Sequence, residues 1–182
     1  MIIVKTIIDL SHDLIKENIT KQDVVLDLTV GNGNDTLFLV KIAKFVYGFD
    51  IQTAAINQAK LKLVNYDNYR LINTSHEYFL DYINKDFKAA IFNLGYLPGG
   101  NKLITTMAGS TLLTLKLVLE NIKVTGICVL VVYPGHYEGK RESQALLNYS
   151  AKLDQLKYQV IKYEFINQIN NPPYLLAIRR LQ

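Results

Sequence analysis

Apolar positions along this chain alternate between helical and strand spacing. Residues 6–18 carry Ile7, Ile8, Leu14 and Ile15 at helical intervals, which predicts a helix ahead of the first strand. Strands are predicted over 24–29 and 46–51, with a helix over 35–45 between them. Ala54, Ala55, Ile56, Ala59, Leu61 and Leu63 predict a helix over 53–64, and a short third strand begins at Leu71 and Ile72. A fourth strand is read at 88–93 and a helix at 106–121. Residues 126–133 are apolar throughout, as a strand covered by helices on both faces requires. A helix over 142–153 follows. The tail changes style, with strands over 158–166 and 174–181 joined by seven residues, Asn167 to Pro173. That connection is too short for a crossover helix, so these two strands are expected to be antiparallel.

The pattern predicts a single α/β domain spanning 1–182, with a doubly wound, seven-stranded, mostly parallel Rossmann-like sheet and an antiparallel C-terminal hairpin. No linker, repeat or low-complexity stretch divides it. In such sheets the ligand lies beyond the carboxyl ends of the strands, beside strand one. The polar motifs fall at those ends: Asp27 to Asp35, Asp50-Ile51-Gln52, His76-Glu77, Asn93 to Gly100 and Tyr133 to Arg141.

Composition narrows the class only modestly. Apolar residues make up 49% and charged residues 20%, which suits a globular chain with a substantial core. The apolar runs are too short for a membrane span, and the first residues lack the pattern of a secretory signal. The single Cys128 falls in a predicted core strand, and Cys and His show no metal-ligand spacing. A reducing, cytoplasmic setting without metal is expected. The net charge of +4 favours an anionic partner, but the longest basic runs are pairs, Lys140-Arg141 and Arg179-Arg180.

Three segments carry candidate chemistry. The first strand runs into Asp27-Leu28-Thr29-Val30-Gly31-Asn32-Gly33-Asn34-Asp35-Thr36, a glycine-bearing strand–turn–helix. Gly31 and Gly33 permit a tight turn and close ligand approach, and Asp35 suits the first turn of the next helix. Thr36 stands where the dinucleotide fingerprint G-x-G-x-x-G has its third glycine. Asp50 ends the second strand 19 positions after Gly31, where a carboxylate can accept hydrogen bonds from two ribose hydroxyls. With Asp27, this arrangement resembles the S-adenosylmethionine site of class I methyltransferases more than a NAD site. The fourth strand ends in Asn93-Leu94-Gly95-Tyr96, at the place where methyltransferases acting on exocyclic amines carry Asn/Asp-Pro-Pro-Tyr/Phe. Asn93 and the Leu94 carbonyl would accept from an amine, with Tyr96 as a stacking ring. The literal Asn171-Pro172-Pro173-Tyr174 lies between the last two strands and reads as a rigid turn. After the fifth strand, Tyr133-Pro134-Gly135-His136-Tyr137-Glu138-Gly139-Lys140-Arg141 reads as a flexible substrate loop bearing an imidazole, aromatic rings and two cations. Glu142 favours the start of the next helix. His12 reads as a surface or packing histidine.

Taken with Ser75-His76-Glu77, Asn167-Gln168 and the block Asn93-Leu94-Gly95-Tyr96-Leu97-Pro98-Gly99-Gly100, these motifs resemble a bacterial class I methyltransferase group labelled rRNA methylases. Its members include tRNA methyltransferases that act on 5-aminomethyl-2-thiouridine at the wobble position. The chain departs from that pattern at Val30, Asn34 and Tyr137-Glu138-Gly139. The resemblance implies methyl transfer from S-adenosylmethionine to the wobble-uridine amine, giving 5-methylaminomethyl-2-thiouridine. Other substrates open at this point are an rRNA base and a small-molecule amine. The implied catalytic residues are Asn93, Tyr133 and His136. Asp27, Gly31, Asn32, Gly33, Asp35, Thr36, Asp50, Ile51, Gln52, His76, Glu77, Asn93 and Leu94 would hold the cofactor. Gly95, Tyr96, Lys102, Tyr133, His136, Tyr137, Lys140 and Arg141 would meet the anticodon stem-loop of tRNA, by stacking and phosphate contact. A homodimer is left open.

Overall fold

The computed structural model describes residues 5–83, 86–95, 97 and 105–182. Its elements run in the order α1 (Ile7–Asn18), β1 (Val24–Asp27), α2 (Asn34–Val40), β2 (Phe45–Asp50), α3 (Thr53–Lys62), β3 (Tyr69–Asn73), β4 (Ala89–Asn93), α4 (Ala108–Asn121), β5 (Ile127–Val132), α5 (Tyr137–Ser150), β6 (Tyr158–Tyr163) and β7 (Tyr174–Arg180). The seven strands form one sheet in the order β3-β2-β1-β4-β5-β7-β6. The first five are parallel, and β7 is antiparallel to both β5 and β6. Strand order reverses beside β1, which creates the crevice that α/β sheets use for ligands.

Both faces of the sheet are covered. Along β5, Cys128, Leu130 and Val132 point into a core shared with Leu115 and Leu119 of α4 and Leu146 of α5. Ile127, Val129 and Val131 point the other way, into a second core with Ile7 and Ile15 of α1 and Leu39 of α2. This two-sided burial is why β5 reads as an unbroken apolar run. The Cys128 thiol is fully buried in the strand, and burial pushes its pKa up.

Several boundaries differ from the sequence reading. The helix expected over 35–45 stops at Val40, because the Asn68 amide donates to the carbonyls of Val40 and Ala43 and holds the chain in a turn. The last helix begins at Tyr137 rather than at residue 142. The His136 ring caps it, Nδ1 accepting from the Gly139 N–H at 3.1 Å. Gly139 is therefore no hinge: it is buried, and a Cβ there would stand 2.0 Å from the Tyr133 carbonyl oxygen. A short 3₁₀ helix, His76–Asp81, follows β3 and has no periodic signature. No helix among the described residues is long and apolar enough to cross a membrane.

Candidate active site

The carboxyl ends of β1, β2, β4 and β5 open onto a cavity of about 650 Å³, a volume typical of small-molecule sites. Gly31, Asn32, Asp35, Asp50, Ile51, Gln52, His76, Asn93, Leu94, Gly95, Tyr133 and His136 all line it. Asp27, Gly33, Thr36 and Glu77 do not, and Tyr137, Lys140 and Arg141 sit outside it on the first turn of α5. Tyr96 and Lys102 lie outside the described residues.

Asp50 organises the glycine turn. One carboxylate oxygen accepts from the Gly31 N–H at 2.9 Å and the other from the Gln52 N–H at 2.8 Å. Each oxygen keeps a lone pair for a further donor. Burial moves the Asp50 pKa upward, and these two bonds oppose the shift. Gly33 serves packing rather than ligand contact. It adopts φ 76°, and a Cβ would meet the Ala59 Cβ of α3 at 2.8 Å. This close approach seats α2 against α3.

Asp27 lies beneath the turn, fully buried. The Thr36 hydroxyl donates to its Oδ2 at 2.5 Å, and the Thr29 N–H donates to Oδ1 at 3.2 Å. Thr36 thus replaces a fingerprint glycine with the partner of a buried carboxyl. Burial above all, then the charge of Asp35, pushes the Asp27 pKa up to about 7.

Asn93 is fixed at two points. Its N–H donates to the Thr29 hydroxyl at 2.6 Å, and its side-chain Nδ2 donates to Asp35 Oδ2 at 3.0 Å. A carboxylate only accepts, so the amide orientation is set and Oδ1 is left as the acceptor at the cavity wall. Asp35 Oδ1 pairs in turn with His12 Nε2 of α1 at 2.7 Å. The His12 ring stacks on Phe38 of α2 with centroids 3.9 Å apart and planes within 2°. The N-terminal helix therefore contributes to the site through a contact spanning 23 residues, which no local spacing announces.

The remaining polar groups have distinct states. His76 is buried against Phe92, and desolvation lowers its pKa to about 4, so the ring is neutral. It is hydrogen-bonded to the Leu28 backbone, while Nε2 has no partner among the described residues. Tyr133 has its pKa raised by burial and by the Asp35 charge, and it keeps its proton at neutral pH. Glu142 of α5, read from sequence as a helix-start acid, is buried. It accepts from the hydroxyls of Thr106 at 2.8 Å and Thr111 at 2.6 Å. Thr106 also accepts the Gly95 N–H at 2.9 Å, so Glu142 anchors the turn after β4. Arg141 lies 3.6 Å from Glu138 and over the Tyr137 ring.

Electrostatically, the described cavity wall carries the carboxyls of Asp35 and Asp50 and neither Lys nor Arg. Among the described residues no cluster of His, Cys, Asp or Glu is arranged to hold a metal ion. Such a wall favours a small cationic ligand.

Comparison with known proteins gives a consistent assignment. The sequence profile of the family described as "Putative rRNA methylase" matches residues 46–179. A "tRNA (mnm(5)s(2)U34)-methyltransferase, chloroplastic" of Arabidopsis thaliana is 31% identical over 188 residues, spanning 94% of this chain and 69% of that protein. Among solved structures, a "putative methyltransferase" of Streptococcus mutans in complex with SAH shares 39% identity, with TM-score 0.92, over 98% of this chain and 100% of that one. A "putative rRNA-methylase" of Clostridium thermocellum shares 38% identity, with TM-score 0.95, over 99% and 100% of the two chains. The chain belongs to this methylase family, and its seven-stranded sheet is that of a class I methyltransferase.

Proposed function

We propose that this chain transfers a methyl group from S-adenosylmethionine to the amine of the 5-aminomethyl-2-thiouridine side chain at the wobble position of tRNA. The observation that carries the reading is Asn93. Its Nδ2 is held by Asp35, which fixes the amide orientation and leaves Oδ1 to accept on a residue that lines the cavity. That group accepts a hydrogen bond from an amine and aims the nitrogen lone pair elsewhere, toward a methyl donor. The 31% identity to a tRNA methyltransferase supports tRNA as the acceptor.

The donor, when bound, supplies an electrophilic methyl on a cationic sulfonium. The carboxyls of Asp35 and Asp50 suit that charge, and its loss in the product weakens the attraction. Asp50 would receive the ribose hydroxyls on its remaining lone pairs, with Gly31, Asn32, Ile51 and Gln52 around them. Neutral His76 spends one nitrogen on the Leu28 backbone, which leaves Nε2 as an acceptor for the adenine amino group. The Leu94 carbonyl would join Asn93 on the acceptor amine, beside Gly95. Tyr133 and His136 at the wall, with Tyr137 beyond it, would stack on anticodon bases, and Tyr96 is proposed for the same role. Lys140 and Arg141, exposed on α5, and Lys102 would meet phosphates.

The test is a labelled-methyl assay with three acceptors: tRNA carrying 5-aminomethyl-2-thiouridine, ribosomal RNA and free alkylamines. Transfer confined to the tRNA supports the reading. Transfer confined to ribosomal RNA or to free amines refutes it.

A further inference from the structure

We propose that Asp35 and His12 form the proton path of the reaction: Asp35 takes the proton of the acceptor ammonium and His12 passes it to solvent. This rests on the amine-acceptor reading above. An alkyl ammonium near neutral pH is almost wholly protonated, as the reference Lys pKa of about 10.4 indicates. Only the neutral amine attacks a methyl group, so a base must stand beside it.

Of the other ionisable groups near the site, four are committed elsewhere. Tyr133 holds its own proton. His136 spends Nδ1 on the Gly139 N–H. Asp50 holds Gly31 and Gln52 at the end of β2, and Glu142 is bound to two threonine hydroxyls behind the wall. Asp35 alone adjoins the amine-orienting group, with Oδ2 on Asn93 Nδ2 at 3.0 Å and Oδ1 on His12 Nε2 at 2.7 Å. The two partners face different surroundings. The Asp35 side chain is 7% exposed and lines the cavity, whereas the His12 side chain is 21% exposed and lies outside the lining. A proton taken inside therefore has an exit through the imidazole. The parallel stack on Phe38 holds the ring in line for this.

Groups on every packed element act on the pair. Asp27 of β1 lies close enough to Asp35 for their charges to interact, and Tyr133 approaches Asp35 from the end of β5. Asp9 on the first turn of α1 faces His12.

The chemistry balances. The ammonium loses one proton to the Asp35–His12 pair. The nitrogen lone pair then forms the new N–C bond as the C–S bond breaks, and that bond's electron pair stays on sulfur. The products are a methylammonium and a neutral thioether, with one proton released through His12.

His12→Gln is the informative variant, because the glutamine amide can still donate to Asp35 but cannot carry a proton onward. Single-turnover methylation of an anticodon stem-loop bearing 5-aminomethyl-2-thiouridine is followed from pH 6 to 10, with SAH affinity measured alongside. The expected deficit at pH 7 is at least about 100-fold, the lower end of general-base contributions. It shrinks steadily toward pH 10, where roughly a quarter of the amine is already neutral at a pKa of about 10.4. Asp35→Asn also frees the Asn93 amide, so its deficit keeps a constant part from that loss on top of the same pH-dependent part, and it stands in if His12→Gln fails to bind SAH. A deficit of constant size across the pH range makes His12 a positioning residue and overturns the relay, as does a wild-type rate. If the wild-type protein leaves the stem-loop unmethylated, the amine-acceptor reading falls instead.

Discussion

Replacing Asp50 by Ala tests the cofactor assignment, because its carboxylate has a countable set of partners. Two of its lone pairs accept the Gly31 and Gln52 N–H groups. Ribose hydroxyls would add one or two charged hydrogen bonds, each worth roughly 1.5–3 kcal/mol. Loss of one such bond alone weakens SAH binding by about 10- to 150-fold. Untethering Gly31 adds to the loss, so a second measurement is needed to separate the two effects. Calorimetry with SAH and with its 2′-deoxy analogue, on wild-type and variant proteins, closes a double-mutant cycle. Removal of the hydroxyl is expected to cost affinity in the wild type and little in Asp50→Ala. An equal cost in both proteins, or unchanged SAH affinity in the folded variant, refutes the ribose contact and leaves Asp50 as a brace for the turn.

Asn93→Ala is expected to lower single-turnover methylation far more than it weakens SAH binding, because the amide meets the acceptor rather than the donor. Equal losses in both would remove the amine-orienting role. Joint replacement of Lys140 and Arg141 by Ala is expected to weaken tRNA binding and flatten its salt dependence by up to two phosphate contacts, with SAH affinity unchanged. A wild-type salt slope would move the RNA to another face. Asp27 predicts a pH effect on stability. Its pKa rises from 3.8 to about 7 on folding, so the folded state binds the proton more tightly. This contribution is present below pH 4, declines as pH rises to 7 and is absent above it. His76, neutral with a pKa of about 4, acts in the opposite direction between pH 4 and 6.5. The comparison is therefore made between Asp27→Asn and wild type at each pH. The variant is expected to gain in Tm relative to wild type between pH 4 and 7, and parallel Tm curves would rule this out.

The parts of the fold and site that were legible in the sequence share a physical basis. Strand-end polar residues are legible because a doubly wound sheet brings every such end to one edge. That logic located Gly31, Asp50, His76, Asn93 and Tyr133, all of which line the cavity. Contacts between elements left no local trace. His12 reads as a surface histidine because its partner lies 23 residues away, and Glu142 as a helix-start acid because Thr106 and Thr111 lie 31–36 residues back. Thr36 was legible only as a missing glycine, since its bond to Asp27 depends on the helix folding back over the strand. Gly139 suggested flexibility, whereas its lack of a Cβ is a steric requirement set by the Tyr133 carbonyl. The shortened α2 had a similar cause, a side-chain clamp from Asn68 on another segment.

The most direct measurement is mass analysis of the wobble nucleoside after one turnover of the wild-type protein. The substrates are labelled S-adenosylmethionine and tRNA carrying 5-aminomethyl-2-thiouridine. The expected product is 5-methylaminomethyl-2-thiouridine with the label on the side-chain nitrogen, formed by wild type and sharply reduced in Asn93→Ala. Label on a ring atom, on another nucleotide, or equally abundant in Asn93→Ala contradicts the account.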